Sequence, residues 1–402
     1  MIKLLEDNII YYKILYIIYA ILSVTILREI PFLMSVFSKT MIIISFIYFC
    51  IFIYKKHYKK INKIRYLLIL FLILQCSTFF ISKSYISDIG SLVLNVIYFF
   101  LISNNIDNDS KNNINKIFKI VLPIIFIIIA ISLLMNILDI SININNNIYG
   151  NLPKIDYSKN FVGLTVNSNT LGILSSFLVI ISIHLIIYNK KNIIFYYICI
   201  FIGGISILAS QSRGAILMLI AYIITMIIMI NKNKKNIIFF IGIITIGLIG
   251  IMIYYLSKHN IDTVSTGRSV LWENAFNIIK ENKAFGVGTT SFVDIMKKNS
   301  HVSLPGIEFG GLHNIYIQIA LCNGLLAFFV FITFILTSII RFLKEILYKN
   351  NDNNKINISL FSILVSILSL NLFESTLIYI CSFIALIFWI CIGELFSNLN
   401  LE

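Results

Sequence analysis

Apolar residues fall along this chain in long blocks, separated by short polar stretches rich in lysine and asparagine. A helix needs about 20 apolar residues to cross the hydrocarbon core of a bilayer, and the blocks have that length. They predict spans at 9–27, 32–54, 66–82, 86–103, 115–138, 168–188, 193–209, 213–230, 237–256, 312–339, 357–372 and 376–395. The expected fold class is therefore all-α, a polytopic membrane protein of about 12 transmembrane helices. One polar interruption is far longer than the others. Residues 257–311 are expected to form a large extracytoplasmic loop containing short amphipathic helices, inserted into a single multi-span membrane domain over 1–402.

Lysine placement orients the spans. KKHYKKINKIR (55–65), the lysines at 111, 116 and 119, NKK (189–191), NKNKK (231–235) and RFLKEILYKNNDNNK (341–355) occupy every second loop. Cytoplasmic loops carry such an excess, so both termini are expected in the cytoplasm. The loops expected outside are Arg28–Pro31, Ser82–Tyr85, Asp139–Asn167, the Ser210–Arg213 turn, 257–311 and Leu372–Ser375.

Composition agrees with this picture. Hydrophobic residues make up 58% of the chain and charged residues only 12%, against about a quarter charged in soluble domains. The formal charge of +14 is then assigned to lysines facing anionic lipid, not to nucleic acid. All six cysteines lie inside apolar blocks without metal-ligand spacing, so they read as small hydrophobes, and neither metal nor cofactor is expected. The sequence holds no nucleotide-binding glycine loop, no Gly-x-Ser-x-Gly and no His-Glu-x-x-His. Asp107-Asn108-Asp109 has the look of an acidic triplet for a metal–nucleotide-sugar, but no domain stands behind it. A transporter or flippase for an anionic or lipid-linked saccharide is the alternative function. It calls for charged or broken helices near the bilayer midplane, which this chain, with four prolines and no internal repeat, scarcely offers.

Candidate chemistry gathers on the side read as external. Arg213 opens a span in Ser210-Gln211-Ser212-Arg213-Gly214-Ala215, either snorkelling to the interface or facing a ligand past two small residues. Arg268 begins a segment in which Leu271, Trp272, Ala275, Ile278 and Ile279 share one helical face. That face, with Trp272, suits a helix lying in the headgroup layer. A cation in the first turn has the wrong sign for the helix dipole, which points to an anion as its partner. His313 follows Gly310-Gly311 and adjoins Asn314, with Tyr316, Ala320 and Asn323-Gly324 expected on its helical face as a polar and small stripe lining a cavity. His184 and the loop histidines His57, His259 and His301 have no such company. Asn169 belongs to Asn167-Ser168-Asn169-Thr170, which reads equally as a helix N-cap or as a sugar contact. Glu374 is an acid at an outer helix junction, placed to pair with an arginine or to accept a proton.

Three segments in order carry a resemblance: Ser212-Arg213-Gly214-Ala215, then Gly267-Arg268-Ser269-x-x-Trp272 with Phe285-Gly286-Val287-Gly288, then His313-Asn314-x-Tyr316 with Gly324-Leu325. Over about 160–330 the chain resembles the O-antigen ligase and O-antigen polymerase superfamily of bacterial membranes, and its topology resembles that family throughout. The resemblance implies an inverting glycosyltransferase of the cytoplasmic (inner) membrane that uses no metal or nucleotide sugar. The implied donor is a glycan on undecaprenyl diphosphate. The implied acceptor is a glycan, a lipid A core or another surface molecule, with a chain-length regulator or flippase of the same pathway as further partners. It implies Arg213 and Arg268 on the diphosphate, with His313 at the acceptor hydroxyl or helping to hold the donor. The residue chemistry is compatible with that. Guanidinium forks suit a diphosphate leaving group, and a histidine suits removal of a hydroxyl proton. The catalytic set expected is thus His313, Arg268, Arg213 and Glu374, and the substrate-binding set Arg213, Arg268, Asn314, Tyr316, Asn169 and Trp272.

Overall fold

The computed structural model describes residues 9–56, 63–82, 85–104, 113–145, 147–151, 161–189, 191–230, 268–300, 304, 307, 311–348, 354–399 and 401. Outside these lie the expected span at 237–256, the lysine run at 231–235, Asp107-Asn108-Asp109, Gly267, Gly310, His57, His259 and His301. Most expected spans appear as helices close to the predicted bounds. They are α1 (Ile9–Leu22), α2 (Pro31–Tyr54), α3 (Tyr66–Ser82), α4 (Tyr85–Val96, continued by a π-helical turn Ile97–Ile102), α5 (Asn113–Ile137), α6 (Ser168–Tyr188), α7 (Ile193–Ser210) and α8 (Arg213–Ile230). After the central gap come α9 (Arg268–Glu281), α10 (Phe292–Asn299), α11 (Ile315–Tyr348), α12 (Asn354–Leu370) and α13 (Phe383–Asn398). Seven of the described helices are long and apolar enough to cross a membrane and four more are apolar but shorter. The protein is thus a predominantly α-helical, polytopic membrane protein.

The helices sort by burial. α6 and α13 are buried on nearly every face, as expected of helices that are apolar all round. Peripheral helices instead turn bulky apolar side chains outward, such as Phe32, Phe46 and Ile53 on α2 and Ile194, Phe201 and Leu208 on α7, where lipid is the fitting solvent.

Contacts between helix ends sort into two layers. In one layer Ile26 N–H donates to Leu164 O (2.8 Å), Thr78 Oγ1 donates to Phe285 O (2.8 Å), and Arg268 Nη1 donates to Phe373 O (2.7 Å). In the other, Lys13 Nζ donates to Asn104 O (2.9 Å), Arg65 Nη2 donates to Ser103 O (3.0 Å), and Asn398 Nδ2 donates to Asn357 Oδ1 (3.1 Å). The first layer joins the loops expected outside and the second those expected inside, so the alternation read from lysines recurs in the packing.

Three departures from the sequence reading have local causes. The first span ends at Leu22, not near residue 27, because Val24–Ile26 leaves the helix to pair with Leu164–Val166. The stretch expected as a loop at Asp139–Asn167 holds a three-stranded antiparallel sheet, β1 (Ser141–Ile144), β2 (Asn147–Asn151) and β3 (Phe161–Gly163). Its hairpin is tied down by Glu29, whose carboxylate accepts from Asn147 Nδ2 (2.9 Å) and Tyr149 Oη (2.7 Å). The last span begins at Phe383 and not at 376. Residues 376–382 are non-helical, and side chains satisfy their backbone: Tyr379 N–H donates to Asn95 Oδ1 (3.1 Å), Tyr98 Oη to Ile380 O (2.8 Å) and Trp389 Nε1 to Leu377 O (3.0 Å). Buried irregular backbone is tolerated in a membrane protein only on such terms.

Candidate functional site

The hub of the site is the four-residue turn that ends α12. A helix C-terminus leaves carbonyls without intrahelical partners, and here other segments supply the donors. Ile315 N–H donates to Asn371 O and Glu374 O (3.2 and 3.1 Å), Asn314 Nδ2 to Leu372 O (3.1 Å), and Arg268 Nη1 to Phe373 O (2.7 Å). The first residues of α9 and α11 are thereby fastened to one turn. The same turn carries Glu374. Its Oε1 lies 3.8 Å from Arg268 Nη2 and its Oε2 lies 3.5 Å from His313 Nδ1. The side chains of Arg268, His313 and Glu374 are only 16%, 18% and 14% exposed. Three residues from three distant parts of the sequence thus meet, with the Glu374 carboxylate between the guanidinium and the imidazole.

Electrostatics fit that order. Arg268 sits at a helix N-terminus, the wrong end for a cation, but it also faces the carbonyl-rich end of α12 and Glu374. Burial pushes its guanidinium pKa below the ordinary value, and Glu374 opposes the shift. One of its five N–H groups is bonded to Phe373 O and Nη2 faces Glu374 at 3.8 Å, which leaves capacity for an anion. His313 adopts a left-handed backbone (φ 49°) just ahead of α11. It is not on the helix, so the helical face expected for it does not exist. Its Nδ1 is buried and faces Glu374 without the alignment of a completed hydrogen bond. Gln318 Oε1 and Asn274 Oδ1 are likewise buried without hydrogen-bond partners, as are Arg65 Nε and Ser338 Oγ elsewhere in the fold.

The stripe expected to line a cavity is packed. Tyr316 Oη donates to Leu368 O (3.0 Å), Ala320 is buried beside Leu271 and Ala275, and Asn323 bonds Thr78 and Tyr379. Gly324, at φ 80° and ψ 171°, breaks the helix outright. Asn314 acts as the N-cap of α11, its Oδ1 accepting from Tyr316 N–H and Ile317 N–H (3.0 and 3.1 Å). Asn167 likewise caps α6 through Thr170 N–H (2.8 Å), and Asn169 lies half-buried in the first turn. Trp272 Nε1 donates to Leu312 O (2.9 Å). The apolar face of α9 holds the residues expected, but Leu271, Ala275, Ile278 and Ile279 pack against Leu312, Leu321 and Phe292. That face meets protein, not headgroups.

Arg213, exposed, begins α8. A methyl on the adjacent Gly214 would lie 3.2 Å from Leu370 Cδ1, so α8 starts against the end of α12 from which Glu374 follows. On the other flank, Gly172 of α6 closes on Ser210 and Ser212.

Residues 198–332 match the family model described as O-Antigen ligase. The resemblance to the O-antigen ligase and polymerase superfamily is thereby shown. The matched segment runs from α7 through the first half of α11. It therefore contains Arg213, Arg268 and His313, while Glu374 lies beyond it. An uncharacterized protein of Haemophilus influenzae is 34% identical over 98 residues, which spans 24% of this chain and 25% of that protein.

Sequence reading missed the support beneath this site. Asp88, fully buried, accepts through Oδ1 from Thr289 Oγ1 (2.6 Å), Thr290 N–H (2.8 Å) and Thr290 Oγ1 (2.8 Å). Val287 N–H and Gly288 N–H donate to Leu321 O and Cys322 O (3.0 and 2.9 Å), and Leu325 N–H donates to Lys283 O (2.8 Å), filling the break in α11. The one available signal was Asp88 itself, an acid inside the apolar block expected to span at 86–103. His184 also has company that was not foreseen: Nδ1 meets Ser359 Oγ and Nε2 meets Asn115 Oδ1, both at 2.9 Å.

Proposed function

We propose that this protein transfers a glycan from undecaprenyl diphosphate to an acceptor sugar hydroxyl at the outer face of the bacterial cytoplasmic membrane, as a surface-polysaccharide polymerase or an O-antigen ligase. The observation that carries the reading is the Arg268–Glu374–His313 chain, with α8 and its Arg213 starting beside it. Arg268 and Arg213 neutralise the diphosphate as it departs, a role for which guanidinium groups in a water-poor site are suited. On substrate binding Glu374, 3.5 Å from His313 Nδ1 in the free protein, closes to accept the Nδ1–H, leaving Nε2 to take the proton of the acceptor hydroxyl. The hydroxyl oxygen bonds to C1, the bond from C1 to the diphosphate oxygen breaks, and attack from the opposite face inverts the anomeric centre. The large loop around 257–311 is extracytoplasmic in this reading, and no metal takes part. Partners are the lipid-linked donor, a glycan or lipid A core acceptor, and the bilayer.

Reconstitution with labelled lipid-linked donor tests the proposal. The expected result is release of polyprenyl diphosphate coupled to a longer or transferred glycan, without nucleotide sugar and in the presence of EDTA. Intact donor moved across the bilayer without cleavage would make the protein a transporter.

A further inference from the structure

The outward face of α9 carries a feature the chemistry above does not use. Along this helix lies an open groove of about 620 Å³ whose described lining residues all belong to α9: Ser269, Trp272, Glu273, Phe276, Asn277, Ile279 and Lys280. The groove begins one residue after Arg268 and extends eleven residues along the helix, about 16 Å at 1.5 Å per residue. Phe276 is 49% exposed, and the Trp272 ring is fixed by its bond to Leu312 O.

We infer that this groove is a glycan subsite, which reads the first few sugars of the substrate next to the reacting centre. The inference rests on the glycan-transfer reading for which sugar chain reaches it, but the groove's own chemistry selects the class of ligand. A sugar ring has an apolar C–H face and a rim of hydroxyls. The groove offers two aromatic rings for the former, with a hydroxyl, a carboxylate, an amide and an ammonium for the latter. Among the described lining residues Glu273 and Lys280 cancel in charge. A lipid surface is disfavoured as occupant, because a helix dipping into headgroups needs a broad apolar face. The apolar face of α9 is instead spent on Leu312, Leu321 and Phe292. A ring held rigid before binding loses little entropy on contact, so Trp272 serves as the fixed wall and Phe276 as the platform.

The probe is the oligosaccharide released by mild acid from the host's own lipid-linked pool, free of lipid and diphosphate. Titrated into the purified full-length protein, it should change Trp272 fluorescence saturably. Phe276→Ala and Asn277→Ala should each weaken binding at least tenfold, and neither removes a buried group. In the transfer assay Phe276→Ala should raise KM for donor or acceptor about tenfold with little change in kcat. No saturable binding by the wild type, or equal binding by Phe276→Ala, overturns the subsite. So does a Phe276-dependent association with phosphatidylglycerol vesicles that the oligosaccharide does not compete. Failure of the transfer reading looks different, since the wild type would then bind the oligosaccharide and transfer nothing.

Discussion

In the proposed transfer the chemistry turns on His313 and Glu374, and substitutions separate their roles. His313→Ala should lower transfer by about 100- to 10,000-fold, the usual loss of a general base, while binding of the lipid-linked donor stays near normal. His313→Gln keeps a hydrogen bond but cannot take up a proton, so near-normal transfer by that variant would exclude the base role. Loss of donor binding in the Ala variant would instead make His313 a ligand of the diphosphate. Glu374→Gln removes the charge between His313 and Arg268 and should lower kcat more than it raises donor KM. Arg268→Lys should rescue poorly. One ammonium cannot both cap Phe373 O and present a planar fork to a phosphate. Single-turnover assays with labelled donor would read each effect. At this scale the sequence told much: Arg268, His313 and Glu374 were singled out by residue type and by side of the membrane. It did not tell that Asn314 and Tyr316 are spent on holding α11 and α12 together, because a cap and a ligand use the same polar atoms.

The elements that hold the site are joined by a lock between two glycines. A methyl on Gly324 would come within 2.2 Å of Ala284 O, and one on Gly286 within 2.5 Å of Cys322 C. The backbone of Gly324 also lies in a region open essentially to glycine alone, at about 1–3 kcal/mol for other residues. Gly324→Ala should therefore destabilise by at least that strain and speed amide exchange over 283–290. Asp88→Ala removes the carboxylate that accepts from Thr289 Oγ1, Thr290 N–H and Thr290 Oγ1 together, a hydrogen bond to a charged group contributing about 1.5–3 kcal/mol, and should loosen the same segment. The helical pattern could not show this lock, since the apolar block at 312–339 runs through Asn323-Gly324 without a break in hydropathy. Nor could it show the small sheet, which depends on Glu29, more than a hundred residues away. Tyr149 lowers the Glu29 pKa most, with Asn145 and Asn147 adding to it, while burial raises the Tyr149 pKa to about 12. A depressed carboxylate pKa stabilises above the unfolded value and is lost as pH falls through the folded one. Exchange over 141–151 should thus rise below about pH 4, and Glu29→Gln should abolish that dependence.

For the whole molecule the question is which layer faces outward. The packing fixes parity first. α8 starts beside Leu370, at the C-terminal end of α12, and places Tyr222 Oη 2.9 Å from Ser359 Oγ, near the N-terminal end of α12. The two helices are therefore antiparallel, and Ile230 lies in the layer opposite Glu374. Arg268 lies in the layer of Glu374. Lysine bias then orients the whole, because Lys55, Lys191 and Lys355 belong to the layer of Lys13 and Asn104, where cytoplasmic loops are expected. In a variant whose six cysteines are replaced, Asn145→Cys and Lys298→Cys should react with a membrane-impermeant maleimide on intact cells. Lys55→Cys and Lys355→Cys should react only after permeabilisation. Labelling of Lys298→Cys from inside alone would place Arg268, His313 and Glu374 in the cytoplasm. A donor presented at the outer leaflet could then not reach them, and the glycan-transfer reading would fall with the topology.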